Sequence, residues 1–291
     1  MLLVDKPEGM TSHEAVIVAR RALGTRRIGH TGTLDPFATG LLLLCVGRFT
    51  RAAEYFHLLP KTYDAEMRLG VETDTHDRTG RVTGEVEVAG LDGEHVARVV
   101  HDLRGESLQR PPAFSAKRVR GRRAHREARV GRPPVLDPVP IAVHRVSVEA
   151  VELPLVRFSV TVSTGTYVRG LARDVGRTLG CGAHLTSLRR TEIGPFLVGA
   201  ARPPEDLAAG HGGDGGWLRP AEALVWMRRR VVVAAEAEAL RNGRAVPRGR
   251  LTPLEEASGS DSGPIAAVMG DRLVAIATAV DAELRPRKVF D

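Results

Sequence analysis

The sequence predicts an α+β protein carrying a smaller β module at its C-terminal end, and three observations support that prediction. Residues 62–70 and 155–163 alternate apolar and polar side chains with period two, as half-buried strands do. Helical stretches with recognisable ends stand between such strands: Thr11-Ser-His-Glu14 is a capping box, and Gly24 closes the helix it opens. Near the C terminus two apolar runs, 264–269 and 272–280, are joined by Gly270-Asp271, a hairpin signal.

At 291 residues the chain can bury a large core and hold one large domain or two. No apolar stretch is long enough to cross a bilayer as a helix, and residues 1–4 are too short for a signal sequence before Lys6-Pro7. Cys45 and Cys181 stand in apolar or Gly-rich surroundings and read as small core residues, as expected in a reducing cytoplasm. The net charge is +7, and its placement is informative. Between Arg104 and Arg132 lie ten Lys or Arg against Glu106 and Glu127, an excess of +8, so the remainder of the chain is close to neutral. A single-sign block of that density points to a polyanion, nucleic acid above all.

In chain order, 2–4 is a short strand, 12–23 a helix, and 29–40 a loop. Three glycines and a proline within 29–40 exclude regular structure and demand a bent loop. The apolar run 41–46 reads as a buried strand or helix segment. A short helix over 52–59 ends before Pro60; the strand 62–70 puts Tyr63, Ala65, Met67 and Leu69 on its apolar face. A strand at 82–88 and a helix at 94–103 follow. Residues 110–138, bounded by Pro-Pro pairs, read as a basic arm with some helix at 122–129. A strand pair is expected at 139–151, and a helix at 167–179 closed by Gly180. The Gly-rich stretch around 203–220 leads to a domain division with a linker at 206–227 and a small module at 228–291. In that module a helix at 234–240 precedes the hairpin. A last strand at 284–289 is confined to an edge by Pro286, and 252–263 is expected to be mobile.

Within the loop, the one carboxylate is Asp35, locked before Pro36. On spacing alone it reads as a turn residue. The full stretch Gly-His-Thr-Gly-Thr-Leu-Asp-Pro-Phe-Ala-Thr-Gly (29–40), however, resembles the catalytic loop of the TruB family of tRNA pseudouridine synthases. Further segments recur in the family's order: 2–12, Lys61-Thr-Tyr63, Thr73-Asp-Thr-His-Asp77, Gly165-Thr-Tyr-Val-Arg169 and Leu188-Arg-Arg190. The resemblance is dense over 1–200 and looser beyond. It implies a pseudouridine-synthase-like fold over 1–205, a mixed, largely antiparallel sheet with flanking helices, and a PUA-like RNA-binding module at 228–291.

It also implies roles. Asp35 would be the carboxylate at the ribose, acting at C1′ or C2′, with Arg169 as the cation keeping it ionised. An arginine in the first turn of a helix otherwise opposes the helix dipole. Tyr63 would lie against the flipped uracil, as stacking platform or as the base for the C5 proton. Leu188 would pack on the base, His30 would wedge into the RNA loop, and Thr33 lies in the same loop. Asp77 matches a polar family position. Lys61 could reach phosphate, and Lys117 and Arg118 belong to the arm expected to grip RNA backbone. The reaction is redox-neutral, so no cofactor or metal is expected. The expected partner is the T stem-loop of tRNA, position 55, bound by a monomer without an obligate protein partner. Three rivals remain open from sequence: a tRNA-folding chaperone acting on the T arm, a guide-RNA-dependent relative, and an N-glycosidase using Asp35.

Overall fold

The computed structural model describes residues 1–115, 118–119, 122–129, 131–208, 215–252 and 263–290; at 118–119, 122–123, 125–126 and 129 it describes the backbone alone. In chain order the elements are β1 (Leu2–Lys6), α1 (Ser12–Ala22), β2 (Ile28–His30), β3 (Thr39–Val46), α2 (Ala53–His57), β4 (Lys61–Leu69), β5 (Val71–Thr73), β6 (Val82–Glu85), α3 (Gly93–His101) and β7 (Gly105–Gln109). The basic arm contributes β8 (Arg118–Val119), β9 (Arg122–Arg123) and α4 (Ala124–Arg129). Then come β10 (Val139–Glu152), β11 (Leu155–Val162), α5 (Val168–Thr178), β12 (Ala183–Ile193), β13 (Phe196–Leu197), α6 (Pro204–Ala208) and α7 (Pro220–Ala223). The C-terminal elements are β14 (Arg228–Val231), α8 (Ala234–Arg241), β15 (Val246–Pro247), β16 (Ile265–Met269), β17 (Arg272–Val280) and β18 (Glu283–Val289).

By internal contacts the chain divides into two units. One comprises Met1–Asp35, Leu41–His57 and Gly194–Asp291; the other comprises Pro36–Gly40 and Leu58–Ile193. The second unit is built on a sheet of order β12-β4-β11-β10-β7, each neighbour antiparallel to the next. This is the largely antiparallel sheet expected from the sequence. The burial of β4 alternates as its pattern predicts, with Lys61, Tyr63, Ala65, Met67 and Leu69 buried. Helix α5 packs on β12 and β4, while α3 covers β10.

The structure settles one open reading, overturns another and adds a strand that the sequence did not announce. The apolar run at 41–46 is strand β3, with Leu41 to Cys45 all fully buried. Residues 139–151 are not a strand pair but one strand of 14 residues, bent by register shifts after Val143 and Val148 that blur its alternation. Strand β12 had no clear period-two signal. It carries Arg189, Arg190 and Glu192 through the middle of the sheet, with irregularities after Leu185 and Arg190.

In the first unit, β1 lies beside β3, and β2 pairs antiparallel with β3 from Leu44 to Val46. Leu2, Val4, Ala15, Val16, Ala19, Ile28, Leu42 and Leu44 form the core beneath α1. The capping box at Thr11 and Glu14 is present. Within 206–227, Gly216 accepts from the Leu3 N–H at 2.7 Å, and the Leu218 N–H donates to Met1 at 2.8 Å, so this stretch runs along β1. The C-terminal module is a five-stranded sheet of order β14-β16-β17-β18-β15 around Val232, Leu240, Ile265, Val274 and Leu284. Pro286 stands in β18, whose partner β15 reaches only Glu283 and Leu284; the lost N–H therefore breaks no bond to that neighbour. Most of 252–263 falls outside the described residues.

Among the glycines of the loop, Gly40 is the one that the sheet demands. Its φ is +104°, and a Cβ there would lie 2.2 Å from the carbonyl oxygen of Arg190. The first residues of β3 run parallel to β12 at Arg189 and Arg190, and only a residue without a side chain permits that approach. Gly40→Ala is expected to lower the unfolding free energy by about 3 kcal/mol in urea titration, whereas Gly199→Ala, with open space around it, leaves the midpoint within error. Equal midpoints for the two variants would refute the close-approach account.

Candidate active site

The residues singled out from sequence are distributed over both units. The first holds His30, Thr33 and Asp35. His30 ends β2 opposite Leu44, and Thr33 is exposed. Asp35 is half-buried in the loop that follows. Its position is fixed by its neighbour. The Ser12 hydroxyl, at the first residue of α1, accepts from the Leu34 N–H at 2.8 Å and donates to the Leu34 carbonyl at 3.2 Å. Both bonds are buried, and the Leu34 side chain is buried as well. Thr31 adds a bond from its N–H to the Leu43 carbonyl at 3.0 Å. A loop bonded at 31 and at 34 has little freedom left by the time it reaches Asp35. Ser12 was not singled out for this role from sequence; the signal for it was its place at the start of a capped helix.

The second unit holds Lys61, Tyr63, Asp77, Arg169 and Leu188. On neighbouring strands Tyr63 pairs with Arg190 and Ala65 with Leu188, so the four side chains share one face of the sheet. Tyr63 is 9% exposed and Leu188 7%, with the Arg190 guanidinium 6.0 Å from the Tyr63 ring centroid. Lys61, on the same face, donates to the Leu59 carbonyl at 2.6 Å. Burial, and then the nearby Arg190 charge, pushes its pKa down to about 8. A lysine so placed holds its charge less readily than a solvated one.

Arg169 is the most closely held of these groups. It is 3% exposed; one terminal nitrogen lies 3.3 Å from Asp77 Oδ2 and donates to the Thr75 carbonyl at 2.7 Å, while the other donates to the Phe114 carbonyl at 3.0 Å. Asp77 is equally buried, and its other oxygen, Oδ1, accepts from the hydroxyls of Thr75 and Thr79 and from the Thr79 N–H. The ion pair accounts for an arginine in the first turn of α5. Helix α5 itself is placed by a residue that sequence reasoning missed. Tyr167 offers no side-chain cap; instead the buried Gln109, at the end of β7, accepts from the Tyr167 N–H at 2.9 Å and donates to the Tyr167 carbonyl at 3.0 Å. A Cβ on Gly170 would meet that amide at 2.6 Å, so the clamp also requires the glycine. Lys117 lies outside the described residues, and Arg118 is described by its backbone in β8.

The pseudouridine synthase class follows from comparison with known families. Residues 20–168 match the N-terminal domain model of TruB family pseudouridylate synthases, and 169–212 match the C-terminal domain model of tRNA pseudouridylate synthase B. The tRNA pseudouridine synthase B of Mycobacterium tuberculosis H37Rv is 39% identical over 299 residues, covering 98% of this chain and 97% of that one. That of Corynebacterium efficiens is 46% identical over 71% of each. The fold matches a chain from an H/ACA ribonucleoprotein bound to a substrate RNA containing 2′-deoxyuridine, with a TM-score of 0.76 at 23% identity over 100% of this chain and 84% of that one. A chain from a Cbf5-Nop10-Gar1 complex matches with a TM-score of 0.73 at 26% identity, covering 99% and 84%. The chain belongs to the TruB family of pseudouridine synthases.

The Ser12 bridge yields a direct prediction. Ser12→Ala leaves the Leu34 N–H buried and unmet, which costs about 1–3 kcal/mol in urea unfolding. Single-turnover pseudouridine formation is expected to slow while RNA affinity holds. A variant as stable and as fast as the parent would show that the bridge does not fix the loop.

Proposed function

We propose that this protein isomerises the T-loop uridine of tRNA, position 55, to pseudouridine. The reading rests foremost on near full-length similarity to the tRNA pseudouridine synthase B of Mycobacterium tuberculosis H37Rv. The reaction breaks the N1–C1′ bond of a flipped uridine, rotates the base and joins C5 to C1′; the C5 proton is lost and N1 gains one. Atoms and electrons balance without a redox partner, so the chemistry needs a carboxylate, a base and a dry surface.

In this reading Asp35 acts at the ribose and Arg169 is the cation that favours its ionised form. The buried face of Tyr63 and Leu188 provides the apolar surface for the base. Tyr63 serves as that platform or as acceptor of the C5 proton. His30 and Thr33 contact the RNA loop, Asp77 holds Arg169, and Lys61 reaches a phosphate of the RNA. The arm, with Lys117 and Arg118, binds backbone phosphates, which makes affinity fall steeply with salt. Its stem is tied to Arg169 through the Phe114 carbonyl. The protein works in the cytoplasm as a monomer without an obligate partner; among the described residues no helix is long and apolar enough to cross a membrane.

The test is pseudouridine mapping on transcribed tRNA and a T-arm stem-loop, with no cofactor added. The parent protein is expected to modify the T-loop uridine, and Asp35→Asn to lose at least about 10³-fold in single-turnover rate while its RNA affinity stays within a few-fold. Tight binding by both proteins with product from neither would replace the enzyme by a tRNA chaperone. Release of free uracil would replace it by a glycosidase.

A further inference from the structure

His76 has no role in the reading above, yet it occupies the most constrained backbone position near Arg169. Its φ is +60°, a left-handed conformation uncommon outside glycine and adopted most readily by asparagine, aspartate and histidine. Its N–H donates to the Thr73 carbonyl at 3.1 Å and its carbonyl accepts from the Leu185 N–H at 3.1 Å, so the turn is fastened on both sides. The consequence falls on its neighbours. The Thr75 carbonyl before it and the Asp77 carboxylate after it converge on the same guanidinium nitrogen of Arg169. The imidazole Nδ1 is shielded from solvent and has no hydrogen-bond partner among the described residues.

Cations outweigh carboxylates in the field on the ring. Helix α5 presents Arg169, Arg173 and Arg177, of which Arg173 is bonded to Asp174; β12 contributes His184, held to the Val71 carbonyl; the loop itself contributes Asp74, Asp77 and Arg78. Burial, and then the charges of Arg173, Arg169 and Arg177, push the imidazole pKa down to about 4 against the pull of Asp77. The ring is therefore neutral at physiological pH. Below that, its protonation adds a fourth positive charge against Arg169 and competes for Asp77.

We infer that His76 is a positioning residue: its left-handed turn aims Thr75 and Asp77 at Arg169, and its neutral ring shields that pair from solvent. This rests on the reading of Arg169 as part of the catalytic site. It gives the reaction a second acid-sensitive group beside Asp35, one that acts through Arg169 without touching RNA.

The experiment is the pH dependence, from 3 to 8, of single-turnover pseudouridine formation at saturating T-arm stem-loop, in parent and His76→Asn, with the fold checked by circular dichroism at each pH. Asparagine tolerates the left-handed turn and cannot protonate. The variant is expected to keep the native circular dichroism spectrum and RNA affinity and to lose about three- to ten-fold at pH 7.5, as water reaches the pair. Its acid limb is expected to approach a slope of one where the parent approaches two. Superimposable acid limbs would overturn the inference. If the parent makes no pseudouridine at any pH, the functional reading fails instead, and the coupling is then read by NMR titration of the His76 ring. Its pKa should rise in Arg177→Gln and fall in Asp77→Asn; a ring unmoved by both would overturn the inference on its own terms.

Discussion

The buried pair of Arg169 and Asp77 is the interaction on which the second unit's functional face depends. Neither charge reaches water, and removing one partner from such a pair strands the other at a cost of about 3–5 kcal/mol. The surrounding structure is arranged accordingly. Thr75 and Thr79 occupy the remaining lone pairs of Asp77, the Thr75 and Phe114 carbonyls occupy guanidinium donors, and Gln109 fixes the start of the helix that carries Arg169. A buried ion pair contributes little net stability compared with a well-packed apolar pair. Its retention here is better explained by what a fixed guanidinium does than by folding energy.

The first unit follows the same logic with weaker interactions. The chain just before Asp35 is held by a serine at a helix start that takes both polar groups of Leu34, and by a threonine N–H tied to β3. After Pro36 the chain enters β3, where Gly40 lies against the backbone of β12. A reactive carboxylate gains most from rigidity when its charge must meet a transition state within a few tenths of an ångström. The loop is made rigid by backbone bonds on one side and a forced glycine contact on the other.

Elements whose burial follows one clean period were legible in the sequence. The alternation of β4, the capping box of α1 and the hairpin β16–β17 each come from local rules that tertiary contacts did not override. Strand β12 was not legible, because buried Arg190 and two register irregularities destroy the pattern that identifies a strand. The loop at 29–40 announced itself as bent, but Ser12, which holds it at Leu34, acts across 22 positions, and Gln109, which holds the start of α5 at Tyr167, across 58, both beyond any local signal. The proposal that Asp35 is the reactive group comes from family resemblance alone; its half-buried place and its spacing would equally describe a turn aspartate. Asp77 was legible as a polar position, and only the fold reveals it as the partner of Arg169.

The most direct measurement is the single-turnover rate of Arg169→Lys on a T-arm stem-loop, alongside its RNA affinity. A lysine keeps the charge but cannot serve Asp77 and the Thr75 and Phe114 carbonyls with one fixed fork. The account predicts a rate lower by about 10²-fold or more, with affinity within about three-fold of the parent and a native fold by circular dichroism. A folded Arg169→Lys protein that turns over at the parent's rate would contradict it.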